Sequence, residues 1–180
     1  MSSLILLSLT YAVSEFMLMF IKRSKKGSVK TRRDRGSLIF LWMMIIVGFT
    51  SGFFMSKPAN NFWLGFGLPL IIGGLVIRWI AILQLGNSFT VDVAINKDAD
   101  LKTDGIYEKV RHPSYSGMLM IITGFSVTMS SFSSFLVLVI PVTIAVLYRI
   151  GVEESALLNE FGERYGKYIK ATKRLIPWIY

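Results

Sequence analysis

The chain has 180 residues, of which 53% are hydrophobic and only 17% charged, and its net charge is +9. A soluble domain of this length could bury only part of that apolar load, so a single-domain, polytopic membrane protein is the expected class. With no cysteine and one histidine, His112, disulfides, a cysteine nucleophile, thiolate metal sites and histidine-rich metal sites are all excluded.

Apolar runs fall at Leu4–Ile21, Leu38–Met55, Phe62–Leu83, Tyr115–Met129 and Phe132–Ile150. A hydrocarbon layer of about 30 Å needs roughly 20 helical residues. Each run is read as a transmembrane helix, giving an all-α integral membrane protein with five spans. The first run lacks a basic leader and a small-residue cleavage site, and Lys22-Arg23 follow it directly. It is expected to be a retained helix with its N-terminus outside.

The segment Lys22–Arg35 then holds eight basic residues against one acid, Asp34. Such a run reads as a cytoplasmic loop obeying the positive-inside bias, with anionic lipid head groups as partners. It lacks the aromatic platforms of a nucleic-acid surface, so no nucleic acid is expected. Placing it inside puts Ser56–Asn61 outside, Gly86–Ser114 inside, Ser130–Ser131 outside and Gly151–Tyr180 inside. On that topology 18 of the 20 basic residues are cytoplasmic, leaving Lys57 and the membrane-embedded Arg78.

Two ionisable residues fall within spans, Glu15 in the first and Arg78 in the third. Each is costly in hydrocarbon unless paired or snorkelled. Their similar depth, about five residues from the cytoplasmic ends, makes a mutual ion pair one reading and a phosphate-directed Arg78 the other. Gly65, Gly67, Gly73 and Gly74 in the third span permit close helix approach.

Beyond the third span the stretch Thr103–Gly117, TDGIYEKVRHPSYSG, crowds charged and aromatic residues immediately before an apolar segment. Pro113 is suited to the first turn of the next helix and holds His112 in an extended or turn conformation. The last span ends in RIGVEES, where Arg149 and Glu153 are four apart and can face the same way. After Gly151, Leu157, Leu158, Phe161, Tyr165, Tyr168 and Ile169 recur at helical spacing among charged residues. They describe an amphipathic helix, with a bend available at Gly162 or Gly166. Charged clusters at two membrane exits favour a site built at the interface over simple anchoring, although surface salt bridges would use the same residues. No glycine-rich dinucleotide fingerprint or phosphate loop is present, and composition does not name a reaction.

The string G-I-Y-x-x-V-R-H-P-x-Y-x-G starts at Gly105. It is followed, from Arg149, by R-I-x-x-E-E-x-x-L-x-x-x-F-G-x-x-Y-x-x-Y-x-x-x-T-x-R-L-I-P. Together they closely resemble the isoprenylcysteine carboxyl methyltransferase family, which belongs with the phospholipid N-methyltransferases. The resemblance covers roughly Arg78 to Pro177. It implies a membrane enzyme that uses S-adenosylmethionine without a Rossmann fold. The cofactor-binding and catalytic core would be residues 78–177, and residues 1–61 a variable N-terminal hairpin. By carry-over the Thr103–His112 backbone, Gly105 included, would wrap the cofactor, with Tyr107 beside it. Arg111 and His112 would engage its carboxylate or hold the loop. Arg149, Glu153 and Glu154 would complete the pocket, with Glu154 contacting the cofactor or orienting the acceptor. Tyr115 and Arg174 would brace the loop and a C-terminal lid.

The implied reaction is methyl transfer to a carboxylate or hydroxyl oxygen of a lipophilic acceptor entering from the bilayer, in a prokaryotic cytoplasmic membrane and facing the cytoplasm. For an acceptor that must lose a proton, Glu153, Glu154 or His112 could serve as base. N-methylation of a lipid amine and a non-catalytic membrane scaffold are the competing readings. A sterol-reductase relative would need more helices than this chain supplies.

Overall fold

The computed structural model describes residues 35–58, 60–86 and 101–180, together with Tyr11, Val13 and Glu15 and the backbone of residues 29–30, 32–34 and 94–95. Five helices of eight or more residues are seen there: α1 (Arg32–Phe54), α2 (Asn61–Leu85), α3 (Pro113–Thr128), α4 (Phe132–Phe161) and α5 (Glu163–Ala171). A 3-10 turn occupies Gly105–Glu108, and Tyr11, Val13 and Glu15 are helical. The described strand structure is one antiparallel pair, Val29–Lys30 (β1) with Ala94–Ile95 (β2).

Three helices are long and apolar enough to cross a membrane: Arg35–Phe54, Asn61–Leu85 and Phe132–Phe161. The chain is a multi-pass membrane protein. The remainder of the expected first span, Leu4–Ile21, lies outside the described residues, as does Lys22–Ser28 of the basic segment. Arg32–Arg35 already belong to α1.

The expected fourth span, Tyr115–Met129, is a helix of 16 residues, about 24 Å at 1.5 Å per residue and short for the hydrocarbon layer. None of its residues is exposed and nine of the sixteen are buried, so neighbouring helices cover most of it. Ser126 and Thr128 return their hydroxyls to the carbonyls of Thr123 and Phe125, at 2.7 Å each. That local bonding removes the cost of the serine- and threonine-rich end.

Helices α2 and α3 run antiparallel and nearly touch. A Cβ on Gly74 would stand 2.6 Å from the Gly117 carbonyl oxygen, and one on Gly124 would stand 2.7 Å from that of Gly67. The two contacts are seven residues apart on each helix, so one small-residue face meets another. The expectation of close approach holds for Gly67 and Gly74. Gly65 faces open space, and Gly73 meets only the end of Met120 at 3.5 Å.

On the other side α1 packs along α4, where Ser134 donates a hydrogen bond to the Gly52 carbonyl at 2.9 Å. The fully enclosed core lies between the two pairs, through Ile71, Ile121, Ile122, Leu138, Val142 and Val146. Helix α4 runs without interruption through Glu153 and Glu154 to Phe161, where Gly162, at φ +51°, turns the chain into α5. The expected bend is therefore at Gly162. On α5 Tyr165 and Tyr168 are buried and Arg164, Lys167 and Lys170 exposed.

Candidate active site

Pro113 does begin α3, with His112 as the residue before it at φ −124°, ψ 56°. The segment leading to it is fixed by the chain that follows α5. Arg111 N–H donates to Lys173 O at 2.8 Å, His112 N–H to Arg174 O at 3.0 Å, and Lys173 N–H to Lys109 O at 3.1 Å. The Ser116 hydroxyl donates to Leu175 O at 2.6 Å. Four backbone-directed bonds thus hold the RHP turn and the Lys173–Leu175 segment side by side.

Glu154 stands where these elements converge, its side chain 8% exposed. Its Oε1 receives Arg111 Nε at 2.9 Å, and its Oε2 receives Arg174 Nε at 3.0 Å and NH2 at 2.7 Å. Arg111 also donates from NH1 to the carbonyls of Ile169 and Thr172, capping the end of α5. Charge-assisted bonds of this kind are the stronger ones. Glu154 therefore ties the RHP turn, α4, α5 and the segment after it into one unit.

His112 is 4% exposed. Its Nε2 lies 3.5 Å from Glu154 Oε1 and its Nδ1 3.9 Å from Glu153 Oε2. The His112 ring is thus turned toward the carboxylate pair, whereas the Tyr165 hydroxyl, on a side chain 1% exposed, has no hydrogen-bond partner among the described residues. Buried polar atoms without partners are rare in folded proteins, and each calls for an explanation.

Arg149 is buried in the helix bundle, donating to the Tyr115 hydroxyl at 3.0 Å and to Ser37 of α1 at 2.8 Å. Glu153 lies beside the same Tyr115 hydroxyl, with its side chain 31% exposed. The His112 and Tyr115 rings are 5.9 Å apart. A polar line therefore runs from Ser37 through Arg149, Tyr115 and His112 to the Glu153-Glu154 pair.

Of the residues expected from the sequence, Arg111, His112, Glu154 and Arg174 form one cluster, and Tyr115, Arg149 and Glu153 a second that adjoins it. Tyr107 sits below, its hydroxyl spent on Ala81 O at 3.2 Å and its carbonyl receiving the Tyr168 hydroxyl. Burial pushes the Tyr168 phenol up to about 12, so it stays a donor at neutral pH. Thr103 and Gly105 lie on the exposed approach to this cluster. Gly105 has φ +62°, a conformation that favours glycine, and Ile106 N–H donates to Gln84 Oε1 at 2.9 Å.

Sequence reasoning did not single out Ser37, Gln84, Ser114, Ser116 or Tyr165 as site residues. The pairing of Glu15 with Arg78 is found: Arg78 donates from Nε and NH2 to the two carboxylate oxygens at 2.6 Å each. Its NH1 reaches the Ser114 hydroxyl at 2.9 Å and carbonyl at 3.1 Å, two residues beyond His112.

The match to the family model described as "Isoprenylcysteine carboxyl methyltransferase (ICMT) family" runs over residues 66–159, more than half of the chain. The chain belongs to this family. It is 34% identical over 129 residues to protein-S-isoprenylcysteine O-methyltransferase B of Arabidopsis thaliana, covering 70% of this chain and 66% of that one. A bacterial relative, methanethiol S-methyltransferase of Pseudomonas deceptionensis, is 32% identical over 123 residues, covering 64% of this chain and 43% of that one. Among solved structures, the eukaryotic intramembrane Ras methyltransferase of the family superposes with a TM-score of 0.69 at 26% identity. That alignment covers 96% of this chain and 64% of the other. The chain thus spans about half to two-thirds of the length of these family relatives.

Proposed function

We propose that this family member transfers a methyl group from S-adenosylmethionine to a carboxylate or hydroxyl oxygen of a lipophilic acceptor that reaches the site from the bilayer. The observation that carries this reading is the cluster of Arg111, His112 and Arg174 around Glu154, adjoining Tyr115 and Glu153, at the end of a membrane-spanning helix. The residues suit the cofactor's charges. The Tyr165 hydroxyl is a buried polar atom still able to bond a carboxylate or an ammonium. Glu153 is the less committed of the two carboxylates and suits the neighbourhood of a sulfonium.

In this reading the Thr103–His112 backbone wraps the cofactor. Tyr107 contributes its ring, since its hydroxyl is already bonded. Glu154 sets Arg111 and Arg174 and is too saturated with donors to be the base. Arg149, pinned by Ser37 and Tyr115, gives the pocket a fixed positive wall that favours an acidic acceptor. Held by the Thr103–His112 backbone, Arg111 and His112, the cofactor would supply an electrophilic methyl carbon for the acceptor's lone pair. A carboxylate acceptor brings its own charge and releases no proton, so alignment and exclusion of water are the residues' main contributions. A hydroxyl acceptor must lose a proton, and Glu153 or His112 would receive it. The positive-inside charge pattern supports a site on the cytoplasmic side, the orientation expected from the sequence.

The bacterial relative's name favours a second reading, a thiol acceptor, which also requires a base. The test uses the purified protein in nanodiscs with methyl-labelled S-adenosylmethionine and three acceptors: N-acetyl-S-farnesylcysteine, methanethiol and phosphatidylethanolamine. The expected product is a base-labile methyl ester of farnesylcysteine. Label on methanethiol alone would establish the second reading. Failure of the folded protein to bind the labelled cofactor would overturn both.

A further inference from the structure

The turn that follows Arg174 has no role in the chemistry above. Leu175 N–H and Ile176 N–H both donate to Tyr180 O at 2.8 Å, and Tyr180 N–H donates back to Ile176 O at 3.1 Å. The base of the turn is fixed deep. Leu175 is buried among the core side chains of the membrane helices, and its carbonyl accepts the Ser116 hydroxyl within the first turn of α3. The tip is the opposite: Trp178 is 80% exposed and Ile179 74%. Trp178 has φ +64°, where a bulky side chain is strained, and the hydrogen-bonded turn holds it so.

Cations surround the tip. Lys109 Nζ lies 5.5 Å from the centre of the Trp178 ring, and the Arg174 guanidinium 5.8 Å from that of Tyr180. Arg174 NH1 also donates to the Tyr180 hydroxyl at 3.1 Å. Lys173 is exposed beside them. In water an outward Trp-Ile pair would be a liability. Aromatic rings with basic neighbours, level with the first turn of a helix in a membrane bundle, match the boundary between head groups and acyl chains.

We propose that the Leu175–Tyr180 turn is a bilayer contact, with Trp178 and Ile179 inserted at the head-group boundary and Lys109 and Lys173 at the level of lipid phosphate. Arg174 lies between this contact and Glu154. Lipid therefore braces the arginine that closes the charged cluster, and this holds whatever group the enzyme methylates.

The chain has no cysteine, so Ile179→Cys accepts a single nitroxide label. The full-length protein is placed in phosphatidylcholine nanodiscs containing about a quarter phosphatidylglycerol. Relaxation by oxygen and by a water-soluble nickel chelate is compared with that of labels at Ile144→Cys, on the exposed apolar side of α4, and at Lys167→Cys, on the exposed side of α5. The expected result is high oxygen and low nickel accessibility at position 179, close to the Ile144→Cys reference. Nickel accessibility equal to that at Lys167→Cys would overturn the proposal, as would spin–spin broadening from a second copy. An unlabelled control keeps the turn intact. The emission lost on Trp178→Phe should be quenched by brominated acyl chains and protected from aqueous acrylamide, and the reverse pattern would sink the idea.

Discussion

Arg78 holds Glu15 through two parallel hydrogen bonds of 2.6 Å, with side-chain exposures of 7% and 5%. The same guanidinium reaches Ser114, so one arginine links the first helical segment, α2 and the start of α3. Removing one partner strands a charge in a medium that solvates it poorly. Glu15→Gln should therefore lower stability by about 3–5 kcal/mol. Thermal unfolding in detergent should show Glu15→Gln/Arg78→Gln to be less damaged than the sum of the single variants. Additive losses would mean that the two residues act independently.

The similar depth of the two residues in apolar runs left a mutual pair and a phosphate-directed Arg78 both open, and the structure shows the pair. Helices α1, α2 and α4 were legible from the length of their apolar runs. The special character of α3 was not: only the packed structure shows that a 16-residue, hydroxyl-bearing helix has no exposed residue. The two motif strings named Arg111, His112, Glu154 and Arg174, which the structure brings side by side. They could not show that Glu154 is saturated by two arginines or that Arg149 is directed to Ser37 and Tyr115. Ser37, Gln84 and Ser114 are ordinary polar residues in sequence and acquire their partners only through tertiary register.

The contact between α2 and α3 predicts a sharp difference between adjacent glycines. A methyl group on Gly74 would meet the Gly117 carbonyl oxygen at 2.6 Å and the Ile121 backbone nitrogen at 2.9 Å. Neither can move without shifting a helix. Gly74→Ala should cost about 1–3 kcal/mol or more. Gly73→Ala meets only a flexible methionine end and gains helix propensity of up to about 1 kcal/mol, so it should be neutral or stabilising. Melting temperatures of the two variants decide this, and similar values would show that the helices are not in close contact.

Tyr168 gives a prediction in alkali. Burial raises its phenol from 10.0 to about 12 while its hydroxyl donates to Tyr107 O. In this window the unfolded chain holds fewer protons than the folded one, so stability falls as pH rises. The contribution is fully present below 10.0 and is lost as pH passes through about 12. Denaturant midpoints measured between pH 9 and 12 should decline in the wild type and decline less in Tyr168→Phe. Parallel declines would assign the effect to other phenols.

Glu153 and Glu154 are neighbours in sequence with opposite surroundings, and this separates their expected roles. Glu154 accepts three charge-assisted bonds from Arg111 and Arg174. Glu154→Gln should cost about 1.5–3 kcal/mol of stability for each strong contact it weakens. A cycle with Arg174→Gln should show coupling of about 0.5–3 kcal/mol. Glu153 is less buried and faces only the Tyr115 hydroxyl and the His112 ring, so Glu153→Gln should cost less than Glu154→Gln, about 0.5–1.5 kcal/mol. Its effect should fall on turnover: about 10²–10⁴-fold where a hydroxyl or thiol must lose a proton, and far less where a carboxylate is methylated. Comparing kcat for the two acceptor types in Glu153→Gln therefore reads out whether the residue is a base. An equal loss on both would make it a group that faces the cofactor's positive charge.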